Sequence, residues 1–302
     1  MGPADHIGDV KAAEPESPST RPRAKRQLTN VPCNEEREAR VFDRLAERVD
    51  RAALKVSDWT LRRYRNAVLG RPVFDNYPDL VFQTVGQLVA PCPDVAKPLA
   101  SLHVLDLGAG DGEWSVIFAD QGARVASVEL SPNQVAVARE RMTINNLRWD
   151  AQIESAYRLT ARFPAASFDL VFGQGILHHL TTDLGAAFSG ISHVLRPGGH
   201  AVFSEPFSAS RRVRALRERL SWLLPLDAET PDERPLTTAD LSRMLPHFSR
   251  VDVIRYDVLA KFGRRLLGSD DAVRRLARVD TLLLKCPPLA TLATAVFINA
   301  TK

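Results

Sequence analysis

The stretch Val104-Leu-Asp-Leu-Gly-Ala-Gly-Asp-Gly-Glu113 constrains this chain more than any other, because an apolar run of strand length passes directly into three alternating glycines and then into a helical pattern. Glycine reaches positive φ without a Cβ clash, and the first turn of a helix offers N–H groups that have no partner within the helix. A turn of this kind brings bare backbone close to a ligand. The glycines are Gly108, Gly110 and Gly112, whereas the dinucleotide fingerprint GxGxxG would need its third glycine at 113, where Glu stands. Two further acids qualify the ligand. Asp106, at the end of the strand, suits a cationic ammonium better than a pyrophosphate. Glu129, 21 positions after Gly108 at the end of the next strand, can accept both hydroxyls of a ribose diol. An ammonium-facing acid, a glycine turn without a phosphate and a ribose-facing acid together describe S-adenosylmethionine.

The rest of the chain supplies the frame for that turn. Residues 1–33, rich in Pro, Ser and mixed charge, offer almost nothing apolar to offset the entropy of ordering and read as a disordered tail. Residues 34–100 read as a helical cap: Asn34 can cap a helix on which Ala39, Phe42, Leu45, Val49 and Ala52 recur at helical spacing, and further helices are expected at 59–69 and 79–88. From 101 to 302 strand and helix alternate. Strands are expected at 103–107, 124–130, 151–154, 168–172, 200–204, 250–258 and 294–300. Helices are expected at 113–121, 132–146 and 183–195, with a turn at 196–199. Parallel strands need crossovers, and the crossovers place helices on both faces, so the class is α/β: a Rossmann-like, doubly wound sheet. Helical insertions are expected at about 207–237 and 259–290.

Four motifs, in order, carry a resemblance. Leu105 to Gly112, Phe168 to Val171, Leu177 to Leu180 and Leu195 to Gly199 read LDLGAGDG, FDLV, LHHL and LRPGG. The chain resembles the class I S-adenosylmethionine-dependent methyltransferases, in particular their broad small-molecule group, closely over about 101–206 and more loosely elsewhere. The resemblance implies a seven-stranded sheet whose last strand is antiparallel and inserted between the fifth and sixth. It also implies that Asp106, Gly108, Ala109, Gly110 and Gly112 surround the methionine half of the cofactor, that Glu129 meets the ribose and that Leu130 packs on the adenine. Ser155-Ala156 stands where similar enzymes often place Asp-Ala beside the adenine, and Gln174 should face the methionyl part. His178 and His179 fall beside the reaction centre as candidate catalytic residues. Glu205 is expected to bind substrate or cap the following helix. Tyr64, within Arg62-Arg63-Tyr64-Arg65, is a candidate substrate contact on a face otherwise read as solvated.

Composition narrows the partners. The charge of +4 comes from 40 basic residues, 33 of them Arg, against 36 acidic ones. An Arg excess could serve phosphate contacts. However, Gly173-Gln-Gly-Ile176 lacks the Asn/Asp-Pro-Pro-aromatic motif of enzymes that methylate base amines, and no nucleic-acid module is attached. The alternatives of an RNA methyltransferase and of a non-enzymatic cofactor-binding relative therefore stand behind a small-molecule methyltransferase, and no nucleic-acid partner is expected. Cys33, Cys92 and Cys286 form neither a disulfide framework nor a Cys/His metal spacing, so no metal and a reducing cytoplasmic setting are expected. The best apolar run, 281–298, is broken by Lys285 and Pro287-Pro288, so no transmembrane segment is expected. Val213, Leu216, Leu220 and Leu223 make an apolar stripe on an Arg-rich helix expected at 211–224, and a second insertion repeats the pattern. The partner of that stripe is either the core or an apolar acceptor reached from an anionic membrane surface. The acceptor atom, the oligomeric state and any membrane contact are not legible at this level.

Overall fold

In a computed structural model of the chain, residues 33–70, 77–88, 94–219, 233–266 and 270–302 are described. Apart from Cys33, the expected tail lies outside them.

Strands β1 (His103–Leu107), β2 (Arg124–Glu129), β3 (Asp150–Ile153), β4 (Phe168–Gln174), β5 (Leu195–Pro206), β6 (Arg250–Tyr256) and β7 (Ala295–Thr301) form one sheet in the order β3-β2-β1-β4-β5-β7-β6. The pairs from β3 to β5 are parallel, and β7 runs antiparallel to both β5 and β6. Before and between them run α1 (Cys33–Ala46), α2 (Asp58–Val68), α3 (Tyr77–Leu88), α4 (Glu113–Asp120), α5 (Pro132–Ile144), α6 (Leu159–Arg162) and α7 (Leu184–Val194). Then come α8 (Arg211–Arg219), α9 (Thr238–Ser242), α10 (Leu259–Leu266), α11 (Asp270–Leu283) and α12 (Pro287–Ala290).

Alternation along the central strands divides the core into two layers. Leu105, Leu107, Val171 and Phe203 pack with Leu184, Phe188 and Ile191 of α7 on one face, while Val104, Leu170, Phe172 and Val202 pack with Val116, Phe118 and Val135 of α4 and α5 on the other. Successive side chains of a strand point to opposite faces, so a sheet buried on both sides needs the near-continuous apolar runs seen here. Ser131 fixes the start of α5: its hydroxyl accepts the N–H of Gln134 at 3.1 Å, and Pro132 follows at the first helical position. Asp43 of α1 then ties the cap segment to this point, accepting from Ser131 Oγ at 2.6 Å and from the N–H of Asn133 at 3.0 Å.

Three expectations change. First, β5 already begins at Leu195: Phe168 pairs with Leu195 and Leu170 with His200, so Pro197-Gly198-Gly199 form an irregularity inside the strand instead of a turn before it. Second, Tyr64 does not sit on a solvated face. It is buried with its ring centroid 4.8 Å from Phe82 and 5.8 Å from Trp114, so it supports the packing of α2 on α3 and α4. Its neighbour Arg65 pairs with Asp120 at 2.5 Å. Third, the stripe-bearing helix is described only as α8; Val213 is half-buried, and Leu220 and Leu223 lie outside the described residues. Among the described residues no helix is long and apolar enough to cross a membrane.

Gly112 caps α4 at φ +80°, and a Cβ there would lie 2.9 Å from Ala138 Cβ and 2.9 Å from the Trp149 ring. Its glycine is thus required by the packing of α5 against the turn and by the left-handed backbone, not by a ligand. Gly112→Ala is expected to lose about 2–4 kcal/mol of stability, combining left-handed strain with overpacking. Urea unfolding measures this, and a loss under about 1 kcal/mol would show that the turn relaxes freely.

Candidate functional site

A cavity of about 540 Å³ opens beyond the C-terminal ends of the strands, where the strand order reverses at β1. Its floor comes from the segments following β1, β2, β3 and β4, and its roof from Glu35, Glu38, Phe42 and Leu45 of α1 together with Glu233.

At the floor, the turn after β1 exposes its backbone. Gly110 has φ +52°, and a Cβ built on it meets nothing within 4 Å, so the residue faces open cavity; its N–H donates to Glu129 Oε2 at 3.0 Å. Gly108, at φ +70°, lines the cavity too, and a Cβ there would strike Ile176 at 2.7 Å. Ala109 lies between them on the same wall. Asp106 is 1% exposed, and its Oδ2 accepts from Ser115 Oγ of α4 at 2.6 Å. Burial pushes the Asp106 carboxyl up to about 7, against the opposing pull of that hydroxyl. The Glu129 carboxyl is also raised by burial, even though its oxygens accept the N–H groups of Ser131, at 2.8 Å, and Gly110. A carboxylate has about four acceptor positions, so Glu129 retains capacity for further donors. Leu130, Ala156 and Gln174 complete this part of the lining.

Two expected residues are displaced from it. Gly112 faces α5, as described above. Ser155 is 1% exposed and committed internally: its hydroxyl donates to Glu35 Oε1 at 2.7 Å and accepts the N–H of Tyr157 at 3.1 Å, capping the short 3-10 turn Ala156–Arg158. The acid that lines the cavity after β3 is Glu154, one residue earlier.

The loop after β4 brings His178 and His179 to the same cavity, with ring centroids 4.1 Å apart. Glu205 fixes this loop from below. At 1% exposure it accepts the N–H groups of Ile176 and Leu177 on Oε1, at 2.9 and 2.8 Å, and that of His178 on Oε2 at 3.3 Å; the same Oε2 lies 2.9 Å from His178 Nδ1. Glu205 therefore neither lines the cavity nor caps the following helix, and its neighbour Pro206 reaches the lining instead. His179 packs edge-on against Phe42 of α1, with ring centroids 5.5 Å apart. Burial pulls its imidazole down, but the carboxylates of Glu38, Glu233 and Glu205 outweigh this and hold it above the usual histidine range. The residues that sequence reasoning missed, Glu35, Glu38, Glu154 and Glu233, are acids, three of them contributed from outside the strand-helix core.

Residues 104–199, which contain the glycine turn, Glu129 and both histidines, match the family model described as a methyltransferase domain. A ubiquinone biosynthesis O-methyltransferase of Xylella fastidiosa (strain 9a5c) is 35% identical over 107 residues, covering 35% of this chain and 43% of that protein. A demethylmenaquinone methyltransferase of Tropheryma whipplei (strain Twist) is 31% identical over 163 residues, covering 52% of this chain and 64% of that protein. The chain thus matches less than two thirds of the length of these curated relatives. Geranyl diphosphate C-methyltransferase from Streptomyces coelicolor A3(2), solved in complex with Mg2+, geranyl diphosphate and S-adenosyl-L-homocysteine, gives a TM-score of 0.50 at 16% identity over 90% of this chain and 99% of that one. At that identity the likeness is one of fold.

Glu205→Gln keeps the shape of the side chain but places an amide N–H₂ on one side of a group that accepts on both. It is expected to cost about 1–3 kcal/mol, the scale of a buried donor or acceptor left unsatisfied. Unchanged urea unfolding would show that the loop after β4 does not depend on this carboxylate.

Proposed function

We propose that this chain, whose residues 104–199 match the model of a methyltransferase domain, is a class I S-adenosylmethionine-dependent methyltransferase that transfers a methyl group from that cofactor to a small-molecule acceptor. The observation that carries the reading is the open space beyond Gly110, bounded by the buried Asp106 and by a Glu129 with spare acceptor capacity. These residues fit the cofactor: Asp106 meets its ammonium, the Gly108–Gly110 backbone lies along its methionyl chain and Glu129 takes the ribose hydroxyls. Glu154 and Leu130 flank the adenine. The cofactor supplies an electrophilic methyl on a sulfonium sulfur.

What remains for the protein is to hold the acceptor in line and remove its proton. Besides the residues given to the cofactor, the cavity is lined by the apolar Phe42, Leu45 and Val49 and by the His178, His179, Glu38 and Glu233 group, which suits an acceptor with an apolar body and one polar end. Two curated relatives named for quinone chemistry agree with an acceptor of this size and character. A nucleic-acid acceptor is disfavoured, since Glu35, Glu38, Glu154 and Glu233 at the cavity would repel a phosphate backbone. Cytoplasmic location rests on cysteine usage, with Cys286 free and exposed.

Three outcomes test this reading. Glu129→Ala should weaken S-adenosylmethionine binding by about 1.5–3 kcal/mol, the scale of hydrogen bonds to a charged group. Gly110→Val should abolish it, since the side chain fills the space the ligand needs. Calorimetry showing unchanged affinity in both, with the circular dichroism intact, overturns the cofactor assignment. The third outcome concerns pH. A carboxyl raised to about 7 is protonated below that value, and an ammonium ligand favours its ionised form. Binding should therefore release a proton and strengthen as pH rises towards about 7, and Asp106→Asn should remove this dependence. For the empty protein the sign is the reverse: a raised carboxyl favours the fold at low pH, and that contribution is lost as pH climbs from the unfolded value through about 7.

A further inference from the structure

Around His178 and His179 the cavity gathers nitrogen and oxygen atoms at separations longer than hydrogen bonds. His178 Nε2 lies 3.8 Å from Glu233 Oε2, and His179 Nδ1 lies 3.5 Å from Glu233 Oε1 and 3.6 Å from Glu38 Oε1. Donor–acceptor distances in hydrogen bonds run to about 3.2 Å. The three side chains are nonetheless shielded from water, at 11%, 7% and 5% exposure for His178, His179 and Glu233. His179 Nδ1 is fully buried and makes no hydrogen bond. One ligand atom from each of His178, His179 and Glu233 lies within 4.8 Å of the other two.

The distances have a simple meaning if an ion sits between the atoms. Ligands about 2.1 Å from a tetrahedral metal stand about 3.4 Å from one another. A second, independent feature points the same way. Glu205 occupies His178 Nδ1 at 2.9 Å, which fixes the tautomer with the proton on Nδ1 and leaves the Nε2 lone pair free on the side of Glu233. A carboxylate behind the far nitrogen is the arrangement that orients and strengthens metal-bound histidines.

From this geometry we propose that His178, His179 and Glu233 bind one divalent first-row transition-metal ion of the zinc class, with Glu38 beside His179 completing the negative surround. Two imidazole nitrogens and a carboxylate select such an ion over magnesium or calcium, which prefer oxygen donors throughout. Three protein ligands leave a coordination position towards the cavity, so an acceptor bearing an oxygen donor is held there by the ion. That last role rests on the methyltransferase reading; the affinity for metal does not. Sequence spacing gave no hint of the site because Glu233 reaches it from a distant segment.

The test uses the full chain, stripped with EDTA and titrated with Zn2+ in competition with a chromophoric chelator, with Co2+ absorption as a report on coordination geometry. One equivalent of Zn2+ per chain is expected. His179→Ala and Glu233→Gln should each weaken it at least about tenfold, and Glu205→Gln, which contributes no ligand atom and acts through His178 and the loop that carries both histidines, about 10- to 100-fold. Failure to bind an equivalent overturns the proposal. So does unchanged affinity in both His179→Ala and Glu233→Gln, in which case the ion sits elsewhere and a protonated His179 lying between the two carboxylates accounts for the cluster. Glu233→Gln, nearly isosteric, guards against a folding defect in His179→Ala, with circular dichroism read on each. Calorimetry with S-adenosylhomocysteine on the metal-free chain separates the two readings: loss of that binding counts against the cofactor assignment and leaves the Zn2+ result standing.

Discussion

Glu205 is the point on which the geometry of the cavity turns. A loop that leaves β4 and must cross the ends of the strands has consecutive N–H groups with no ladder to join, and burying them unpaired costs more than a single hydrogen bond gains. One carboxylate at the end of β5 gathers three of them and the ring of His178 as well. The pairing of β4 with β5 sets where that carboxylate stands, since Gly173 and Gln174 lie opposite Phe203 and Ser204. Sheet register is in this way converted directly into the position of the two histidines, and of Ile176, whose side chain closes over Gly108.

The electrostatics of the cavity follow from the same economy. Asp106, Glu129 and Glu35 are all shifted upwards by burial in spite of the hydrogen bonds they already accept, so a cation beside them favours their ionised forms. A cleft lined with carboxylates of this kind attracts positive charge and repels phosphate, in contrast to the dinucleotide clefts whose topology it shares. The basic excess of the chain as a whole says nothing about this, because the arginines do different work: Arg65 pairs with Asp120, Arg141 with Asp111 and Arg196 with Asp169.

How much of this was legible depended on how local the information is. The turn at Gly108–Gly110, Asp106 and Glu129 were readable because strand, turn and acid are written within one strand-helix-strand unit. The sheet order and the antiparallel β7 followed from resemblance and are borne out. The position after β3 was misread by one residue, since Ser155 and Glu154 both look plausible until the 3-10 turn uses the serine as its cap. Tyr64 was misread because its arginine neighbours advertise a wet surface while the ring points the other way, into Phe82 and Trp114. Glu35, Glu38 and Glu233 could not be found by pattern at all: α1 reads as an ordinary charged amphipathic helix, and only tertiary packing turns one of its edges towards the histidines. The full extent of β5 was hidden by Pro197-Gly198-Gly199, which reads as a turn wherever it stands.

The place of β7 in the sheet has a consequence for how the chain is made. β6 touches the sheet only through β7, and β5 likewise presents an open edge until β7 arrives. Synthesis delivers β6 first, so for as long as the ribosome takes to complete α10 to α12, the outer edge of β5 and the whole of β6 wait with unpaired backbone. Exposed edges of this kind are templates for pairing with other chains. The interval between the synthesis of β6 and that of β7 therefore exposes the chain to aggregation, and a stall there would release a product whose outer sheet cannot close.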